Sequence, residues 1–277
     1  MKSLWRPLRI ILLLLVFATV AQQAWLERTR AVAWNDPLRV TIYPLNGDAS
    51  PVTARYIKSI GTDTFRPIED YFEAESQRYG LNVHHPLRLS FAPEIHTLPP
   101  QPPHGASVPQ VILWSLRMRW WAWRNDSSST PVKPQIRLYV LFFDPAQHHS
   151  LPHSTGLQRG MIGLVNAFAT PLMAGSNNVV ITHELLHTLG ATDKYDLATN
   201  QPIYPDGYAE PQRKPTLPQE YAEIMAGRIP LSARQAEIPE SLDATLIGTR
   251  TAAEIGWKSG TPPDTAHSNG KSKGSAS

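Results

Sequence analysis

The chain has 277 residues, no cysteine and a formal net charge of +3. That length supports one well-buried core. Without cysteine there are no disulfides and no thiolate metal ligands, and so small and dispersed a positive charge excludes a basic nucleic-acid stripe.

Residues 1–26 read as a signal peptide or an N-terminal membrane anchor. Lys2, Arg6 and Arg9 flank the start of an apolar run that begins at Ile10 and reaches Ala21, the charge-then-apolar order of a secretory leader. Ala24, Trp25 and Leu26 prolong the apolar character, so residues 8–26 also suit a retained membrane attachment. Either outcome puts the rest of the chain outside the cytoplasm, periplasmic or secreted.

The folded part is expected over 35–258. Leu38–Leu45 alternates well enough for a first strand, ended by Asn46-Gly47. Pro51–Ser59 and Pro67–Tyr79 predict helices; in the second, Ile68, Tyr71, Phe72 and Tyr79 recur at helical spacing before Gly80. Leu87–Phe91 predicts a second strand, and His96–Pro109 is a proline-rich loop. Val111–Arg124 predicts a helix carrying Trp114, Trp120, Trp121 and Trp123 between Arg117, Arg119 and Arg124. Such interleaving can serve a nucleic acid or a membrane surface. Here it reads as a helix that buries its rings under arginine stems. Gln135–Phe143 is strongly apolar and predicts a central strand. His148, His149 and His153, like the pair His84-His85, read as solvated loop residues. Met161–Ala169 predicts a further strand.

Residues 183–193 read His-Glu-Leu-Leu-His-Thr-Leu-Gly-Ala-Thr-Asp. On a helix, His183 and His187 lie on one face, one turn apart, and two imidazoles so placed can grip one Zn²⁺. Glu184 faces the same cleft, where a carboxylate serves as general base toward a zinc-bound water. Val179, Val180, Ile181, Leu185, Leu186 and Leu189 supply the apolar faces of that helix, and Asn177 or Asn178 is its expected N-cap. Gly190 can end it with φ > 0 and turn the chain back to the metal. Asp193 then arrives as the third ligand, with Asp196 and Glu223 as rivals. Past it, residues 191–239 carry repeated turn signals from Pro202 to Pro218. Leu242–Trp257 predicts a closing helix, or two broken near Gly248. Residues 259–277 are expected to be a disordered tail.

These residues resemble the signature of the metzincin metallopeptidases, His-Glu-x-x-His-x-x-Gly-x-x-His followed by a methionine turn. His183, Glu184, His187 and Gly190 match position by position. Asp193 stands where the third histidine usually does, as it does in the similar snapalysin group. Met225, in Ala222-Glu223-Ile224-Met225-Ala226-Gly227, looks like the methionine of the turn. The resemblance implies an α+β fold. A mixed twisted sheet and the active-site helix form an upper part (35–190), above an irregular, mostly helical or loop lower part (191–258). It also implies that Gly160–Ala169 is an edge strand that receives an extended peptide. It suggests a tyrosine that steadies the oxyanion; Tyr195, Tyr204, Tyr208 and Tyr221 are the candidates, with Tyr221 nearest the family position.

The expected function is an exported zinc-dependent endopeptidase acting on peptide or protein substrates, with Glu184 activating the water. Two alternatives stand beside it. One is a non-enzymatic envelope protein whose structural zinc is closed by Asp196 or Glu223. The other is a zinc hydrolase of cell-wall peptides. No nucleic-acid partner is expected, and no sequence feature specifies an oligomeric state.

Overall fold

Runs of apolar residues become the inner strands of one sheet. In the computed structural model, which describes residue 22 and residues 31–103, 107–126, 133–152, 154–157 and 161–257, five strands lie in the order β2-β1-β3-β5-β4. They are β1 (Leu38–Asn46), β2 (Leu87–Phe91), β3 (Ile136–Phe143), β4 (Thr155–Leu157) and β5 (Ile162–Phe168). The first four in that order run parallel, and β4 pairs antiparallel with β5. Parallel strands need crossovers that cover the sheet, so inner strands are apolar on both faces. In β3, Ile136, Leu138, Val140 and Phe142 enter one core, while Tyr139, Leu141 and Phe143 enter the other.

Three helices cover the first face: α1 (Pro51–Ser59), α2 (Arg66–Arg78) and α4 (Ala174–Leu189). Ser50 caps α1 by accepting the Val52 N–H at 3.1 Å, ahead of a proline pre-set for the first turn. On the opposite face, α3 (Val108–Arg124) packs Met118, Trp121 and Ala122 against Tyr43, Tyr139 and Leu141. The expected α+β class is therefore observed as a mixed α/β arrangement around a central, mainly parallel sheet.

Met161–Ala169 is not the edge. Its strand, β5, lies between β3 and β4, and the edge belongs to β4. The closing helix is also shorter than expected. Leu242–Ala244 is a 3₁₀ turn, Thr245–Leu246 (β9) pairs with Ala222–Glu223 (β6), and only Thr249–Glu254 (α5) is α-helical. The remaining strands of the lower part, β7 (Ile229–Pro230) and β8 (Ala236–Glu237), form another two-residue ladder. Among the described residues the lower part is thus irregular and mostly loop. An aromatic cluster ties it back to the start of the fold. Trp34 donates its indole N–H to the Ile255 carbonyl at 2.7 Å and packs edge-on against Trp257.

Apart from Gln22, the leader or anchor expected over 1–26 lies outside the described residues, as do the tail over 259–277 and His153. Among the described residues no helix is long and apolar enough to cross a membrane.

Candidate metal centre

Helix α4 carries His183, Glu184 and His187, whose ligand atoms all lie within 4.8 Å of one another, a group that could hold a metal ion. The helix is anchored at both ends. Near its start, Asn177 accepts the Phe168 N–H at 3.0 Å and donates to the Phe168 carbonyl at 2.9 Å, which locks α4 to the end of β5. Asn178 donates to the Thr64 carbonyl. Neither asparagine is the expected N-cap, because the helix begins three residues earlier, at Ala174, and both amides find tertiary partners. At its far end Gly190 adopts φ +113°, as expected, and the Ala191 N–H bonds back to the Leu186 carbonyl at 3.0 Å. That closure needs a left-handed residue, which glycine supplies with little strain.

The turn delivers Asp193. Its Oδ1 lies 3.1 Å from His183 Nε2 and 3.1 Å from His187 Nε2. The edge of a tetrahedron drawn around zinc with ordinary ligand distances is roughly 3.3 Å. The opposite side of each ring is fixed by backbone: His183 Nδ1 lies 3.0 Å from the Ile224 carbonyl and His187 Nδ1 lies 2.9 Å from the Ala191 carbonyl. A carbonyl only accepts, so these bonds hold the proton on Nδ1 of a neutral ring and turn both Nε2 lone pairs inward. Two lone pairs and a carboxylate oxygen then face one another, and only a proton or a cation reconciles them. The donor set, two imidazoles and a carboxylate without sulfur, fits zinc.

The electrostatics of the cluster attract positive charge, here a proton. Burial disfavours the charged ring of His183, but Asp193, Glu184 and the Ile224 carbonyl outweigh it, and its pKa rises above the ordinary value. Burial likewise works against the Asp193 carboxylate. Its bonds to His183 and His187 prevail and hold its pKa far below the usual carboxylate range.

The rival carboxylates point elsewhere. Asp196 is exposed, and its Oδ1 accepts the N–H groups of Ala198 and Thr199 and the Thr199 hydroxyl. Glu223 is fully buried and accepts from the backbone of Met225, Ala226 and Gly248 and from the Thr251 hydroxyl. Burial raises its pKa. Met225 is also fully buried, in the same core as Leu186 and Leu189.

A cavity of about 380 Å³ opens beside His183 and Glu184. Val179 and Val180 of α4, Phe168 of β5, Tyr195, and Arg228 and Ile238 of the lower part help line it. Of the four tyrosines, Tyr195 is the one in this wall, with its ring 6.5 Å from that of His183. Burial raises its pKa, with Asp193 and Glu184 adding to the effect, so its hydroxyl stays a donor at neutral pH. Tyr221 lines a separate hollow with Ile229 and Asp243, and Tyr204 packs on Tyr208. His148 stacks edge-on against Phe143, 3.8 Å from Asp48, and joins no metal-ligating group among the described residues.

Sequence reasoning missed what holds Asp193 in place. Lys194 is nearly fully buried and donates to Glu254 at 2.7 Å and to the Thr192 carbonyl and hydroxyl. Its own N–H bonds the Met225 carbonyl at 3.0 Å. A lysine directly after the motif is the one signal that pointed there. The carbonyls of Ile224 and Ala191 leave none, since every residue has one.

No protein-family model matches this chain, and a search of curated proteins finds none similar to it.

Proposed function

We propose that this chain is an exported zinc-dependent endopeptidase of metzincin type, with His183, His187 and Asp193 as metal ligands and Glu184 as general base. The observation that carries the reading is the meeting of two inward-facing Nε2 lone pairs with the Asp193 carboxylate, next to Glu184 and open to a cleft. A bound zinc ion supplies Lewis acidity toward a scissile carbonyl and makes water more acidic. The Glu184 carboxylate takes the proton of the attacking water and passes it to the leaving amine nitrogen. Tyr195 donates to the carbonyl oxygen as negative charge develops there. The position of β4 at the edge of the sheet among the described residues supports extended substrate binding, since a peptide can add to the backbone of an edge strand. The basic start and the apolar run that follows support export.

A structural zinc site needs a fourth protein ligand. Asp196 and Glu223 are both committed elsewhere, which favours an open coordination position and a catalytic role.

Two variants test the assignment. His187→Ala should lose stoichiometric zinc on purification, whereas Glu184→Ala should keep it and lose about 10²–10⁴-fold in peptide hydrolysis. Full hydrolysis by Glu184→Ala would remove the base from the reading, and a metal-free parent chain that still folds would remove the ion.

A further inference from the structure

Helix α3 shows two apolar faces where a surface helix normally has one. Trp114, Met118, Trp121 and Ala122 are buried toward the sheet. On the opposite side Ile112, Leu116, Trp120 and Trp123 recur at spacings of four, four and three, and are 55%, 58%, 58% and 75% exposed. That spacing makes one stripe. A contiguous exposed apolar patch of this kind marks an interaction surface.

The charges that α3 itself carries have one sign. From Ser107 to Arg124 the sequence holds Arg117, Arg119 and Arg124 and no acidic residue. The Arg124 guanidinium lies over the exposed Trp120 ring, 5.5 Å from its centroid. The nearest carboxylate in sequence, Asp126, is bonded to Arg137 at 2.8 Å.

We infer that the outer face of α3 docks on the surface of an anionic phospholipid bilayer. Leucine, isoleucine and tryptophan enter the boundary between headgroups and acyl chains, while arginines beside them meet lipid phosphates. A second copy of the chain is a poorer occupant, because a two-fold pairing of this face sets arginine against arginine. Stable attachment takes two lipid-seeking elements rather than one, and the apolar run from Ile10 to Ala21 is a second in the same sequence. Helix α4 lies on the other face of the sheet, so docking leaves the metal-bearing helix uncovered. The inference is independent of the peptidase reading.

The chain lacks cysteine, so Leu116→Cys gives the full-length protein one attachment point for an environment-sensitive fluorophore. Leu197→Cys, in a loop of the lower part and 79% exposed, reports on recruitment without docking. Vesicles of phosphatidylcholine mixed with phosphatidylglycerol should blue-shift and brighten the label at 116, and leave that at 197 in water. Replacing Arg117 and Arg124 by glutamine should weaken the response about fivefold per arginine. A label at Ile112→Cys should repeat the result if the first variant folds poorly. Emission at 116 that stays aqueous on vesicles overturns the proposal. So does a vesicle-free response that grows with protein concentration, which assigns the face to a second copy. An apolar signal at high dilution without lipid assigns it to another segment of this chain, and a response to a single-stranded oligonucleotide but not to vesicles assigns it to nucleic acid; both also overturn it.

Discussion

Residues 38–189 and residues 191–257 meet at the candidate metal centre but are held together differently. The upper part buries apolar side chains on both faces of one sheet, and its backbone groups pair along strands and within helices. Among its described residues the lower part has two-residue ladders, one 3₁₀ turn and one six-residue α-helix. Its backbone must therefore find other partners. Buried polar side chains supply them. Glu223 gathers three backbone N–H groups. Glu75 reaches over from α2 to accept the Ile247 N–H at 2.7 Å. Gln219 bonds both the N–H and the carbonyl of Glu210. A fold with such short ladders needs acceptors and donors in fixed places, and it tolerates exchange of chemistry less well than exchange of shape.

The largest expected effect tests that difference directly. Both Glu223 oxygens accept, Oε1 from Gly248 and Thr251 and Oε2 from Met225 and Ala226. Glu223→Gln keeps the shape but turns a donor against donors, and should cost about 3 kcal/mol, the scale of an unsatisfied buried polar group. Leu141→Met in the sheet is an equally small change of shape and should cost less than about 1.5 kcal/mol. Urea unfolding of the two variants decides it, and equal losses would break the contrast between the halves.

Glu254→Gln comes next. It leaves the buried Lys194 ammonium without its carboxylate, which should cost about 3 kcal/mol, and it loosens the loop that carries Asp193. Zinc affinity, read by competition with a chelator, should fall about tenfold or more. The same variant carries a pH signature. Burial disfavours ionisation of Glu254, but Lys194 and Thr192 overcome it and hold the carboxyl below its ordinary value near 4.5. A carboxylate depressed in the folded state adds its full stability above the unfolded-state value and loses it as pH falls through the folded-state one. Melting temperatures of parent and variant should therefore differ at neutral pH and converge in acid below that window. A gap that persists unchanged in acid would assign the Glu254 effect to shape rather than to charge.

The same contrast explains which parts were legible in the sequence. Strands and helices of the upper part carry apolar runs of the correct period, and Leu38–Asn46 and Leu87–Phe91 appear within a residue of expectation. His183, Glu184 and His187 come together because helical spacing alone joins them. The edge strand was misplaced for a physical reason. Three residues, Thr155–Leu157, are too few to show a period, while Val165 and Leu164 of β5 feed opposite cores and so mark an inner strand. Asp193 was legible from its place in the motif, and its Oδ1 lies 3.1 Å from both rings, whereas the bonds that occupy Asp196 and Glu223 follow from no local pattern. Glu75 and Ile247 bond across 172 positions, a partnership invisible to any window of sequence. On α3, the count of tryptophans was readable but not their division, with Trp114 and Trp121 inside and Trp120 and Trp123 outside.

The smallest expected effect lies at the junction of the two halves. Gly190 has φ +113° and Gly80, at the end of α2, has φ +68°. An alanine at either position adopts a left-handed backbone at a cost of about 1–2 kcal/mol. At Gly80 an added methyl meets open space, and the turn touches no ligand. At Gly190 the same turn aims the Ala191 carbonyl at His187 Nδ1, 2.9 Å away. Gly190→Ala should therefore reduce zinc affinity as well as stability, whereas Gly80→Ala should reduce stability alone. Chelator competition on both variants separates the cases. Equal loss of affinity would mean that the backbone bond to His187 does not tune the site, and that general loosening of the fold accounts for the change.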